Sequence, residues 1–575
     1  MFRNIAAAAA LSLALVAGAV PAKRGIYTTT APDGSTVSYS VSGDAHHRYY
    51  FTPDSILLHM SPDGILTYGR LDASARVVST GVAARDGLRY EGAVSLGEAA
   101  VAAARVAKSP ARVPANMLTT TFPGKGSPRA LVVLVEFADL GFTVPDPKAH
   151  FEAMLSQEGY DAYGGVGSAL DYFTQCSDGQ FTPQFDVYGP VTLSKKQSYY
   201  GQNNSAGDDA YAHEMAIEAC RQLDDVIDFH DYDTDGDGFV DNVYVFHAGF
   251  GEADNLKITW LVWPHSYDIT ALGESVQLDG VFLDHYACSN ELNADRTPAG
   301  IGTFVHEFSH VLGLPDLYCT TRYASPYTPG EWSVLDYGPY NGDGRVPPLY
   351  GAFERLSLGW MEPRLLSDPD NITLLPISEN DACIVQTETD NDFFLFENRQ
   401  PTGFDAELPG HGMLVWHIDY NRAKWSYNNV NNSSSHQNVD LVEADGSTSS
   451  SKSSRASEAF PGTLGKTSFT DTTRPAMKSW NGKAQNTPVT DIAESADGII
   501  TFKVKGGKVD GIADATVAAD DCAISVEGRC VSGASEVSVY TTAGSLVGRG
   551  RSVTVPAAGL YIARCGSRAE RISVR

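Results

Sequence analysis

The sequence predicts an α/β (α+β) unit built on a mixed sheet, with β-rich segments before and after it. Three features carry that expectation. Ala130–Phe137 (ALVVLVEF) and Val243–His247 (VYVFH) are unbroken apolar runs of strand length, the pattern of strands buried on both faces. Helix-like stretches at Lys148–Gln157, Gly167–Gln175 and Asp208–Leu223 separate them, the last with Ala210, Met215, Ala216 and Cys220 at helical spacing. On both sides, short strand-like runs alternate with turn residues.

The segments run in order from the N-terminus. Arg3, the apolar run Ala6–Val16 and the small-residue sites Ala17-Gly18-Ala19 and Val20-Pro21-Ala22 have the layout of a secretory signal peptide, residues 1–22. The expected location is therefore outside the cell or on its outer surface. Residues 23–115 hold strand-like runs at Thr36–Val41 and Tyr49–Thr52, with turns at Pro32-Asp33-Gly34 and Pro62-Asp63-Gly64. An alanine-rich stretch, Gly97–Lys108, reads as a helix leading into a linker at Ser109-Pro110 and Pro114. Placed between a signal peptide and a larger unit, 23–115 is expected to be a removable propeptide that inhibits that larger unit.

Residues 116–365 form the central unit. Residues 366–506 read as a β-rich extension, with strands at Phe393–Phe396 and Met413–Ile418 and a Ser/Asn-rich mobile surface loop at Asn431–Ser457. Residues 507–575 read as a small C-terminal β-sandwich domain with strands at Val537–Tyr540, Ser552–Val555, Leu560–Arg564 and Arg571–Val574.

Composition excludes some functions. The 575-residue chain carries 42 basic and 70 acidic residues, a net charge of -28, which argues against non-specific nucleic-acid binding. Beyond the N-terminus no run of about 18 apolar residues predicts a membrane span. Eight cysteines without a CxxC pair suggest neither a disulfide scaffold nor a cysteine zinc site, and sequence leaves their connectivity open.

The chemistry concentrates in His306-Glu307-Phe308-Ser309-His310-Val311-Leu312-Gly313-Leu314-Pro315-Asp316. Two histidines four apart share one face of a helix, one turn apart, and can hold one Zn²⁺. Glu307 stands beside them, free to move a proton as general base and then general acid. Phe304, Val305, Phe308, Val311 and Leu312 supply the apolar face for such a helix. Gly313 permits a sharp turn that brings Asp316 back as third ligand, leaving a position open. Glu331, 21 residues after His310, is the rival third ligand. HExxH alone arises by chance about 0.02 times in such a chain, and with Gly and Asp added about 10⁻⁴ times.

A second acidic cluster spans Asp231 to Asp241. Asp233, Asp235, Asp237 and Asp241, with glycines between, present alternate carboxylates suited to Ca²⁺; Asp231 is an alternative ligand. The twelfth-position glutamate of an EF-hand is missing, so the expectation is a structural calcium site that staples a loop to the sheet.

HExxHxxGxxD and its surroundings resemble the immune inhibitor A family of secreted bacterial metallopeptidases, relatives of the metzincins. Ala130–Phe137, Gly167–Phe173, Phe185–Val191, His247-Ala248-Gly249, Trp263-Pro264-His265, Glu397–Gln400 and Gly412–Asp419 extend the likeness over about 117–480. The resemblance implies a metzincin-like zinc endopeptidase made with a propeptide and acting on a broad range of protein substrates. Ser333-Val334-Leu335-Asp336-Tyr337 stands where metzincins place a methionine turn, with Leu335 in place of methionine. Leucine is close in volume and the thioether does not bind metal, so activity is expected to survive. Tyr337 matches a tyrosine that in some metzincins binds zinc or stabilises the oxyanion. The propeptide has no cysteine, so latency through a thiolate is excluded and Asp44 or His46 is a candidate plug. The C-terminal strands resemble the sorting domain of the type IX secretion system, implying that machinery as a partner.

Two other classes stay open at this level. One is a surface adhesin or binding protein on a metallopeptidase scaffold. The other is a carbohydrate-active enzyme, which needs paired carboxylates across a cleft that the sequence does not single out.

Overall fold

The computed structural model describes residues 26–95, 98, 117–508 and 524–574, apart from 31–32, 44–47, 62–64, 73–76, 89, 91, 119, 121, 205–208, 254–257, 259, 321–326, 448–454, 542–545 and 566–567. The expected signal peptide, the alanine-rich helix with its linker, and the Asp44 and His46 plug all lie outside these residues. The C-terminal strands from 524 onward belong to one compact unit, and residues 25–41 with 49–508 form the other.

The larger unit is organised on a five-stranded sheet: β1 (Arg129–Glu136), β2 (Gln184–Thr192), β3 (Val243–Phe250), β4 (His265–Asp268) and β5 (His285–Leu292), in the order β4-β5-β3-β1-β2. β1 pairs in parallel with β2 and β3, and β3 with β5. Only the edge strand β4 is antiparallel. The unbroken apolar character of β1 has a simple cause. Ala130, Val132 and Leu134 join one core and Leu131, Val133 and Val135 join another, so neither face meets water.

Each core is closed by helices. α1 (Pro147–Ser156) starts on Pro147 with Asp146 accepting from Ala149 N at 3.1 Å. α2 (Ala169–Cys176) starts on a reciprocal capping box: Asp171 N donates to Ser168 Oγ (3.1 Å) and Ser168 N to Asp171 Oδ2 (2.8 Å). α3 (His213–Gln222) covers the opposite face through Met215, Ala216, Ala219 and Cys220.

α4 (Gly302–Val311) carries both histidines and packs Phe304, Val305, Phe308 and Val311 on the same side as α1 and α2. Phe304 and Phe308 lie 5.5 Å apart, and Phe185 and Phe122 meet them edge-on at 5.3 and 5.2 Å. Burial of each such ring contributes about 1.5–3 kcal/mol, which holds the helix against the sheet. The helix start fits only a glycine: a Cβ on Gly302 would come within 2.1 Å of Pro339 O.

The region after residue 361 is not an appendage. Its five-stranded sheet includes Ala382–Gln386, Asp392–Arg399, Gly412–Asp419 and Val439–Leu441 in that order. Along these strands alternate residues separate: Phe393, Leu395, Leu414 and Trp416 join the core that holds α4, while Phe394, Phe396, Met413 and Val415 face a third core. Of the expected mobile loop Asn431–Ser457, residues 448–454 lie outside the described residues, and the flanks on either side are partly built into the fold. Asn431 is fully buried, Arg455 is buried, and Val439–Leu441 is a strand of this sheet. Composition suggested solvated polar groups; the structure uses them as internal hydrogen-bond partners.

Residues 27–83 form six short strands in sequential order. Among the described residues of the C-terminal unit, five strands are linked by antiparallel pairing and bury Val537, Val539, Ala563 and Ile572 between them. Cys565 is in a disulfide, whereas Cys176, Cys220, Cys288 and Cys383 are buried free thiols. No helix among the described residues is long and apolar enough to cross a membrane.

Candidate active site

Helical spacing puts His306 and His310 on one face of α4, their ring centroids 4.9 Å apart. Gly313 follows in the left-handed region (φ 86), ending the helix with Gly313 N donating to His310 O at 2.8 Å. The turn returns Asp316, whose Oδ1 lies 3.3 Å from His306 Nε2 and 3.2 Å from His310 Nε2. A tetrahedral cation bound at about 2.0–2.1 Å sets neighbouring ligand atoms about 3.3–3.4 Å apart, so the two edges that meet at Asp316 Oδ1 have suitable lengths. Asp316 Oδ1 is buried with no neighbour but the two imidazole nitrogens to satisfy it, which leaves its lone pairs for a cation in place of a proton.

The other ring nitrogens are committed elsewhere. His306 Nδ1 donates to Val334 O (2.8 Å) and His310 Nδ1 to Leu314 O (2.9 Å), which turns each Nε2 lone pair to the shared point. Val334 thus contacts the site through its carbonyl, and Leu335 beside it is fully buried. Leu317 N also donates to Leu335 O at 2.8 Å, so the main chain of this turn supports both a histidine and the aspartate loop.

Glu307 is buried beside the triangle, with its carboxylate within 4.8 Å of both imidazoles. Burial raises its proton affinity above the ordinary carboxylate value, against the nearby histidines. Burial also disfavours charge on His310, yet Asp316 outweighs it and pushes the ring up to about 9. The expected rival, Glu331, is corrected: it pairs with Arg455 at 2.9 Å and lines a different cavity.

Two residues at the site escaped the sequence reading. Asn428 Nδ2 donates to Asp316 Oδ2 (2.6 Å), and Asp316 N donates to Asn428 Oδ1 (2.7 Å). Nothing local to Asp316 signals a partner 112 residues away. Tyr318 stacks near His306 (6.3 Å, 20°), and its hydroxyl interacts with the Asp316 carboxylate. Its position two residues after the ligand was the available clue. Tyr337 is 60% exposed and lines a cavity of about 210 Å³ with His306, Glu307 and Tyr318.

The cleft of about 730 Å³ over His306, Glu307 and His310 is walled on one side by Pro264–Asp268, that is, by edge strand β4, and on another by Arg422, Trp425 and Asn428. An edge strand at such a cleft offers unpaired main-chain groups to an extended peptide.

The acidic loop is partly as expected. Carboxylate oxygens of Asp233, Asp235 and Asp237 lie within 4.8 Å of one another. Asp241 lies beside that group: it is buried and accepts from Thr234 N at 3.1 Å and from the Thr234 hydroxyl, with Asp235 and Asp233 near enough to add to the effect of burial in raising its proton affinity. Asp231 instead pairs with Arg129 at 2.7 Å.

A mixed sheet with an HExxH helix and a His-His-Asp triangle defines a metallopeptidase class of site. Residues 124–361 match the family model described as Immune inhibitor A peptidase M6, catalytic domain. The pre-pro-metalloprotease PrtV of Vibrio cholerae serotype O1 is 24% identical over 308 residues, covering 44% of this chain and 33% of that protein. Immune inhibitor A of Bacillus thuringiensis subsp. alesti is 26% identical over 257 residues, 37% of this chain and 36% of that protein. A putative secreted metallopeptidase of Arthroderma benhamiae is 42% identical over 64 residues, 9% of each chain. This chain thus spans about a third of the length of the first two relatives. Site, fold and homology together support a metallopeptidase.

Proposed function

We propose that the chain is a secreted zinc metalloendopeptidase made as a latent precursor. The observation that carries the reading is Asp316 Oδ1, buried and nearly equidistant from two oriented imidazoles, with Glu307 adjacent. His306, His310 and Asp316 would hold Zn²⁺, for which two imidazoles and a carboxylate with one open position are a fitting set. When bound, the ion supplies Lewis acidity to a peptide carbonyl and acidifies a water molecule.

The protein's own groups do the rest. Glu307, its proton affinity raised by burial, accepts a proton from the attacking water and delivers it to the leaving amine. β4 aligns an extended substrate by main-chain hydrogen bonds, which suits proteins of varied sequence. Tyr318 and Tyr337 border the point where carbonyl charge develops.

The test is hydrolysis of casein by the processed protein, with and without a zinc chelator, beside Glu307→Ala. Loss of hydrolysis in both is expected. Hydrolysis unchanged by Glu307→Ala would overturn the assignment.

The proposal extends to Ca²⁺ on Asp233, Asp235 and Asp237, supported by their convergence. It also includes residues 23–115 as an inhibitory propeptide, and 507–575 as a sorting domain for export to the medium or cell surface. Calcium titration by calorimetry and N-terminal sequencing of the active form test the first two of these.

A further inference from the structure

The loop that carries the third ligand depends on a distant segment of chain. α4 supplies His306 and His310 directly, but Asp316 lies beyond the helix, where it cannot use helical hydrogen bonds. One main-chain bond, Leu317 N to Leu335 O, ties this loop to the turn beneath the site. Further ties come from residues 428–432, just after the short helix α5 (Arg422–Ser426).

Three asparagines make them. Asn428 exchanges two hydrogen bonds with Asp316, one to the main-chain N and one to Oδ2. Asn431 Nδ2 donates to Leu317 O (2.9 Å) and Val439 O (2.8 Å), while Asn431 Oδ1 accepts from Val439 N (3.1 Å). Asn432 Oδ1 accepts from Thr320 N (2.7 Å), and Asn432 Nδ2 donates to Thr320 Oγ1 (2.9 Å). The Thr320 hydroxyl returns a bond to Asn428 O at 2.7 Å. Asp316–Asn428 and Thr320–Asn432 are each 112 residues apart, so the two segments run side by side in one register.

An amide suits this role because it presents a donor and an acceptor together. Aspartate at 428 would bring a second carboxylate against Asp316; alanine would leave Asp316 N and Oδ2 without these partners at a residue only 4% exposed. Asn428 also adopts φ 48, a left-handed conformation asparagine tolerates better than most residues.

We propose that Asn428 is a positioning residue for the metal centre, and that Asn431 and Asn432 hold its segment in register. Cation binding is thereby coupled to docking of 428–432 on the ligand loop. This rests on the reading of Asp316 as third ligand. Linkage makes the coupling reciprocal: a bound cation stabilises the docked segment, and a loosened segment weakens the cation.

The test uses the full chain, as wild type and as Asn428→Ala, Asn428→Ser, Asn432→Ala and Asp316→Ala. Zinc affinity is measured by chelator competition, and ligand geometry by the visible absorption of the Co²⁺-substituted protein. Asn428→Ala is expected to weaken zinc about 10–100-fold and shift the cobalt bands. Asn432→Ala, one step removed, should do so less. If Asn428→Ala does not fold, Asn428→Ser, with a polar side chain of smaller volume, is judged by the same two readouts. Zinc affinity and cobalt bands unchanged in the folded Asn428 variant, while Asp316→Ala loses both, overturn the clamp. Asp316→Ala with wild-type affinity and bands overturns the ligand assignment instead.

Discussion

His310 Nε2 lies 3.2 Å from Asp316 Oδ1, and each group shifts the other's proton affinity. Burial alone would lower the imidazole and raise the carboxylate; their proximity reverses both, with His310 pushed up to about 9 and Asp316 held well below the usual carboxylate range. In the metal-free site, then, His310 is protonated below about pH 9 and deprotonates above it.

A cation must displace that proton, so apparent zinc affinity should rise with pH, about tenfold per unit for each proton released, and level off above His310's value. Chelator competition at several values from pH 6 to 10 measures the slope. A flat profile would show that the cation does not use the His310 lone pair.

Glu307→Gln keeps the shape of the side chain and removes its ability to accept a proton. Turnover should fall about 10²–10⁴-fold while one zinc per chain is retained. Metal analysis beside peptide hydrolysis separates the two effects; loss of metal in parallel with turnover would make Glu307 a ligand and not a base.

Leu335→Met should be close to neutral. The support given by this turn comes from main-chain carbonyls, Val334 O to His306 and Leu335 O to Leu317 N, and the side chain only fills a core site that is fully buried. A swap that conserves volume costs less than about 1.5 kcal/mol. Thermal melting and kcat/KM check this, and a large gain in turnover would give the thioether a role that packing does not predict.

Tyr318→Phe and Tyr337→Phe should differ. Tyr318 interacts with Asp316 and borders both lobes of the cleft, whereas Tyr337 is 60% exposed. If Tyr318 donates to the developing oxyanion, its loss should lower kcat about 10²-fold with KM little changed. The larger effect at Tyr337 would support the role that the family resemblance implies for it.

Legibility tracked distance along the chain. β1, β3 and α1 appeared within a few residues of their expected bounds because their periodicity is local. The convergence of Asp233, Asp235 and Asp237 follows from the same local spacing, whereas the burial of Asp241 and its bonds to Thr234 depend on how the loop packs. The inward place of Asn431 and Asn438 within Asn431–Ser457 was not legible, because composition cannot distinguish an amide solvated by water from one bonded to buried backbone.

The sequence by itself determined the helix with two histidines on one face, the glycine turn after it and the aspartate beyond the turn, since each is a short-range consequence of backbone geometry. Only the tertiary structure decided that Asp316 and not Glu331 meets the imidazoles, and that Asn428, 112 residues on, aims it. Hydrogen bonds between remote segments form wherever the packed cores bring them into register, and that register is a property of the whole fold.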